Sequence, residues 1–545
     1  DVGADISGST KLNVYQGSAG VISGNVAYAS ISNNGNSDIT LEGVNLTAKD
    51  INAIAKDTTT TNLNAIGVSA GGVALGALAA EAANNSDISI TLTGNTVTSE
   101  SEAGDEESGN INISTDKANT VAAEAIGVAG GAIGGTGMGA TVSDNGSSVI
   151  TLIGNTMQAD KNIDVAAQTN SELTANISND AAGVFGGGAV SIAEVNAGSA
   201  NDRMATAVII GNGNTFAAQN TNIGAASNIT QSVDLDALSI SGYGALSGNT
   251  ATVNAYTDVG INVVKESAEE NSNTYKGAAD GESSDVNFNA ENNVEQTSSV
   301  AGITASGLIA SGTNIGETNS DLKTNVSLNG SSDSSNGSSD SSKINSLTVN
   351  ANSKADVTNN VNGDGGSAID ASPYAAQSTN NVKSDTTVNM SGKWTVAGDM
   401  DVNALHENNI DIIADALKAS VVGYSGVHSD NTVTNNTAVK LDNASVATGG
   451  SQDISARNTI DYDSSVTGSG YGVAQGAAVW AEDEITMEAG VNLKESSLTA
   501  GGAGDISALT GDAEYKSVGD PTADINKEVT IKSAGVVAGT YAEST

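Results

Sequence analysis

The chain has 545 residues, no cysteine, and 63 Asp and Glu against 20 Lys and Arg, a formal net charge of −43. Clustered basic residues that would neutralise phosphates are absent, which argues against nucleic acid as a partner, and an anionic bilayer would repel such a surface. Aromatic residues make up 3% of the chain, too few for a large globular core, and without disulfides the packing of the chain on itself must supply stability.

The first informative stretch is residues 65–97, "AIGVSAGGVALGALAAEAANNSDISITLTGNTV". Its first sixteen residues carry no charge. They are short for a membrane span, rich in Ala and Gly, and unflanked by Lys or Arg, so we expect no insertion in a bilayer. The expectation is instead the most buried coil of a repeat. Ile88, Ile90 and Leu92 then alternate with Ser89, Thr91 and Thr93, the period of a strand with one buried face. Gly94-Asn95-Thr96 reads as a corner, because Gly and Asn tolerate positive φ.

Residues 125–157 copy this stretch 60 residues later, with the same corner at Gly154, Asn155 and Thr156. A third, looser copy has it at Gly213, Asn214 and Thr215. A short run of alternating apolar and polar residues follows each corner and continues along the chain. Its first apolar residues are Ile51, Ile111, Ile163, Ile223, Val286, Leu347, Met400, Ile454 and Ile506, spaced by 60, 52, 60, 63, 61, 53, 54 and 52 residues. Such a series signals a repeat architecture.

Each unit holds strand-like runs separated by Gly, Asn, Asp or Ser, and no apolar stripe of helical period. The two prolines, Pro373 and Pro521, fit extensive strand pairing. We therefore expect an all-β chain, a parallel β-helix (β-solenoid) of about nine units of 52–63 residues, forming one continuous domain over residues 1–545. With coils of roughly 20–25 residues, each unit would hold two or three coils, in a rod on the order of 100 Å long. Disorder, suggested by the charge and composition, is set aside for the body by the regular alternation.

Three polar insertions interrupt the pattern, near residues 98–109, 265–285 and 330–343. Their acidic residues are the candidate contact positions: Glu100, Glu102, Asp105, Glu106 and Glu107, then Glu266, Glu269 and Glu270, then Asp333 and Asp340. Repeat geometry should bring all three out along one edge, as freely varying loops, partner contacts or loose Ca²⁺ sites. No specific calcium motif stands out; "GGAGDIS" at Gly501 places its Asp one residue early for the Gly-rich calcium nonapeptide. No cofactor is expected beyond weak surface Ca²⁺.

Catalysis finds no constellation. Beyond the lysines the chain offers Arg203, Arg457, His406 and His428, and both histidines read as solvated loop or corner residues. Trp394 and Trp480 read as packing residues, with sugar stacking as the alternative. A carbohydrate-active β-helix enzyme is the least favoured class.

The alternation of "AAGVFGGGAVSIAEVNAGSAN" with "ATAVIIGNGNTFAAQNTNIGAAS", from residue 181 to 227, resembles the passengers of large filamentous bacterial adhesins. The closest likeness is to the leukotoxin-type family within the filamentous-haemagglutinin group. The resemblance covers nearly the whole chain and implies a right-handed β-helix exported by type V secretion to the bacterial cell surface. It also implies attachment to host or neighbouring cells, with glycans among the partners. The family's secretion and anchoring parts are not visible, and no functional residue carries over. Trimeric autotransporter heads, which share "AIG"-like strands but repeat more tightly, are the second architecture. In function, the alternative is a self-assembling extracellular fibre or biofilm-matrix protein. The absence of a signal-like start and the ending "SAGVVAGTYAEST", similar to residues 18–30, suggest a piece of a longer array.

Overall fold

The computed structural model describes residues 1–101, 108–264, 273–279, 282–330, 344–511, 524–534 and 537–544. The chain is all-β, and the strand pairings described run parallel. Ile51 pairs with Ile111, and Ile111 with Ile163. The register then passes through Thr221, Val286, Leu347, Met400, Gln452 and Gly504. Neighbouring strands are thus one whole repeat apart, and each repeat is a single coil. This corrects the expected coil of 20–25 residues. It also shortens the axis, because ten coils at about 4.8 Å span only about 45 Å.

Each coil is long because it is flat. In the element Ile51–Asn84, alternate residues are buried at odd positions up to Ser69, and at even positions from Ala74 onward. The change of phase marks a hairpin tip at Gly71 and Gly72. The outgoing run, residues 51–70, and the return run, residues 73–93, lie face to face. Contacts across the gap fix this: Ser86 with Asp57, and Gln231 Nε2 donating to Asn254 O at 2.8 Å. The long edge measures about 65 Å, twenty residues at about 3.3 Å each.

The "AIG" triplets are explained by this geometry. A Cβ on Gly67 would lie 2.8 Å from Leu78 Cδ1, and one on Gly127 would lie 2.0 Å from Met138 Cε. A large side chain on the return run fills the space left by a glycine on the outgoing run. Residues 65–80 therefore form the hairpin tip, not the most buried part of the coil: Val68 and Leu75 are about half exposed, at 47% and 53%.

The opposite edge is closed by the Gly-Asn-Thr corner. Gly94 and Gly154 adopt φ of +63° and +64°, which favours glycine. The asparagines turn inward and stack. Asn95 donates from Nδ2 to Asn155 Oδ1 at 3.0 Å, Asn155 to Asn214 at 3.1 Å, and Asn214 to Asn273 at 3.1 Å. The short strands after these corners make a separate five-stranded parallel sheet, which runs from Asn45–Ala48 to Thr274–Lys276.

The interior has two apolar cores. One, around Ile51, Ile90, Leu92 and Val97, lies near the corner; the other, around Leu63, Ala65, Leu78 and Ala80, lies toward the tip. A polar seam separates them. At one register position the inward residues are Asp57, Lys117, Thr169, Ser227, Asn292, Ser353, His406 and Asn458 in successive coils. All eight are buried.

Candidate functional site

The predicted acidic contact residues lie at the corner edge. Glu100 is exposed at the end of the short strand Thr96–Ser99, and its backbone N–H donates to Ala48 O at 3.1 Å. Glu102, Asp105, Glu106, Glu107, Glu266, Glu269, Glu270, Asp333 and Asp340 lie outside the described residues. The described residues flanking all three insertions sit at this one edge. Part of the second insertion is strand: Thr274–Lys276 pairs with Thr215–Ala217, and Tyr275 is buried against Phe216 with ring centroids 5.2 Å apart.

The polar seam holds several buried ionisable groups. Lys117 Nζ lies 2.7 Å from Asp144 Oδ1 and donates to Gly146 O at 2.7 Å, with both side chains fully buried. Asp57, one coil away, accepts from Ser86, and burial raises its pKa against those hydrogen bonds. His406 is not a loop residue but lies fully buried in this seam. Its Nε2 sits 2.8 Å from Asn408 Oδ1, and its Nδ1 lies 3.0 Å from Ser384 Oγ. An amide oxygen accepts only, so Nε2 carries the proton and Nδ1 accepts from the serine hydroxyl. Burial lowers the His406 pKa to about 4, so the ring is neutral at pH 7. With its side chains packed between the outgoing and return runs, the seam presents no face to a substrate. Its hydrogen bonds give Asp57, Lys117 and His406 partners that the apolar cores could not supply.

His428 and both tryptophans sit on strands. Trp394 is buried and donates from Nε1 to Ser391 O at 2.9 Å, a packing role. His428 and Trp480 face outward on neighbouring coils, with Tyr374 6.0 and 5.9 Å from their rings. Arg203 reaches two coils along the axis, donating from Nη1 to Asp321 O at 2.6 Å and pairing with the Asp321 carboxylate. Among the described residues no group of three or more His, Cys, Asp or Glu is arranged to hold a metal ion. No described helix is long and apolar enough to cross a membrane.

The hairpin-tip edge stands out as a surface. One outward register position reads Ile22, Val73, Ile133, Gly186, Gly244, Ile309, Ile369, Val422 and Ala474 in successive coils. Every residue in the column is apolar or glycine. At the tips beside it, Val21 is 85% exposed, Phe185 59%, Tyr243 57% and Val421 52%. Phe185 and Tyr243 stack across adjacent coils, 5.6 Å between centroids. The tips also approach closely: a Cβ on Gly71 would meet Gly20 O at 2.0 Å, and one on Gly131 would meet Gly71 O at 2.0 Å. A ribbon of apolar side chains on close-packed turns therefore runs the length of the stack. Sequence reading passed over it because its residues resemble core. The signal was there in the recurrence of uncharged tips such as "AGVISG", "AGVFGGG" and "ISGYGAL".

Comparison of the chain with protein-family models, with curated proteins and with solved structures finds no match.

Proposed function

We propose that the chain is part of the extracellular shaft of a filamentous bacterial surface adhesin, exported by type V secretion. Its coils are taken as right-handed, the sense in which parallel crossovers run. The observation that carries this reading is the parallel pairing of each described coil with the next, interrupted only by local bulges. In such a stack each coil contacts only its neighbours, so length is added without enlarging a core, as a spacer requires. Side-chain ladders brace the outside: Asn228 donates to Asn170 Oδ1 at 3.1 Å, and Asn293 to Asn228 Oδ1 at 3.0 Å. The charge of −43 keeps such a shaft soluble.

The partners in this reading are host or neighbouring cell surfaces and their glycans. No cofactor, nucleic acid or inserted membrane segment takes part, and the chain is not an enzyme. A self-assembling extracellular fibre is the second reading, favoured by the apolar ribbon. Beads coated with the purified chain should bind epithelial or bacterial cells above albumin-coated beads. A panel of polysaccharides should release no sugar. Equal binding by both bead types would remove the adhesin reading, and released sugar would restore the enzyme class.

A further inference from the structure

The geometry points to the hairpin-tip ribbon as a lateral pairing surface whose partner is a second copy of this chain. The inference rests on the shaft reading only in taking the stack as a free-standing object.

Three observations single out a second copy. The first is charge. The chain carries −43, and two copies brought together by their broad faces or corner edges would set acidic residues against one another. The turns carry two charged residues, and both are buried: Asp370 at 4% exposure, with Ser372 donating to it at 2.7 Å, and Lys418 at 1%. The nearest outward carboxylates, Asp180 and Asp364, sit on the outgoing face. The tip edge is therefore where two such chains can meet without opposing charges.

The second is area. The ribbon is about 45 Å long and about 15 Å wide, from the spacing of coils and of alternate residues along a strand. That is about 700 Å² per copy, above the usual largest apolar patch of a monomer, and about 1,400 Å² when two copies meet. A pair of ribbons falls within the range of stable interfaces.

The third is shape. The ribbon repeats at the coil spacing. A partner must offer apolar side chains along a matching line with no charge, which the same edge of another stack does. A two-fold axis then makes the contact closed and self-complementary. A bilayer fits less well, since surface-seeking elements carry Lys and Arg beside their apolar face, and the one lysine described at this edge, Lys418, is buried.

Sedimentation velocity of the chain between micromolar and hundred-micromolar concentration tests the pairing. We expect a concentration-dependent dimer, weakened at least tenfold by Tyr243→Glu with Leu308→Glu. Leu308 sits at the tip of the coil after Tyr243, and the two are 45% and 57% exposed, so circular dichroism and melting should stay as in the parent chain. Because the chain has no cysteine, Leu308→Cys, near the middle of the stack, should oxidise to a covalent dimer, and Thr98→Cys at the corner edge should not. A monomer at every concentration would overturn the inference. So would a dimer that survives both glutamates, cross-linking at both cysteines, or a monomer that floats with phosphatidylcholine vesicles. A chain that stays monomeric yet binds cells would remove the pairing and leave the shaft reading standing. A chain that pairs yet binds no cells would do the reverse.

Discussion

Asn95 and Asn155, sixty residues apart, are joined twice: the backbone N–H and the side-chain Nδ2 of Asn95 each donate to Asn155 Oδ1 at 3.0 Å. The Gly-Asn-Thr corner is thus one rung of an interior asparagine ladder, and its cost of burial is met by the coils on both sides, with Val44 N donating to Asn95 Oδ1 at 2.8 Å and Asn95 Nδ2 to Leu41 O at 2.9 Å. Asn155→Ala would leave the backbone N–H of Asn95 without its acceptor, while Asn95 Nδ2 keeps Leu41 O at 2.9 Å. An unsatisfied buried donor costs about 1–3 kcal/mol, so we expect a loss in that range in urea unfolding. Asn145→Ala removes an outer ladder bond, Asn145 Nδ2 to Asn85 Oδ1 at 3.0 Å, where water can substitute. It should cost under about 1 kcal/mol. Equal losses would mean that the interior ladder is no more consequential than the outer one.

His406 makes the eighth coil acid-sensitive. Above pH 6.5 the ring is neutral in both folded and unfolded chains and contributes no pH dependence. As pH falls from 6.5 toward about 4, the unfolded chain takes up a proton that the buried ring refuses, so stability falls through that window and levels off below it. The gap corresponds to roughly 3 kcal/mol. Urea melts at pH 7, 5.5 and 4.5 should show His406→Gln less sensitive to acid than the parent chain by about this amount. Parallel curves for the two proteins would contradict the buried neutral imidazole.

The first acidic insertion should be dispensable for folding. Its flanks already meet: an ideal Cβ on Gly109 would lie 3.2 Å from Ser101 Cβ, and Ser101 N donates to Asp160 Oδ2 at 2.8 Å. Removing residues 102–107 shortens a closed loop, and loop-closure cost changes by only about 0.6 kcal/mol per doubling. Leu92 is 2% exposed among Ile90, Val97 and Ile111, so Leu92→Asp buries a charge and should cost several kcal/mol. Differential scanning calorimetry should show little change for the deletion and a much lower transition for the substitution. Similar shifts would place the insertion in the core.

The repeat was legible because the inward positions keep their parity. Eight spacings read from apolar markers come close to the true coil lengths, and the exceptions are instructive. The column of Ile51, Ile111 and Ile163 continues through Thr221, Gln452 and Gly504, whereas Ile223, Ile454 and Ile506 lie two residues further along. A search for apolar residues slid by one pleat at those coils, which leaves the buried face unchanged. Coil length was not legible, because the polar seam interrupts a twenty-residue strand with Asp57, Lys117 or His406. Those residues look like loop in a pattern that equates buried with apolar. The same assumption placed His406 in solvent and the exposed ribbon in the core.

The central claim, that one repeat is one coil, is tested most directly by a disulfide. Thr91 and Thr151 are outward neighbours on adjacent coils, sixty residues apart in sequence. Parallel neighbours stand about 4.8 Å apart, within the Cα separation that a disulfide spans. In this cysteine-free chain, Thr91→Cys with Thr151→Cys should oxidise rapidly to an intramolecular bond, without loss of circular dichroism. Thr91→Cys with Ser114→Cys, which a coil of about 23 residues would bring together, should remain reduced. Closure of the second pair and not the first would contradict the account.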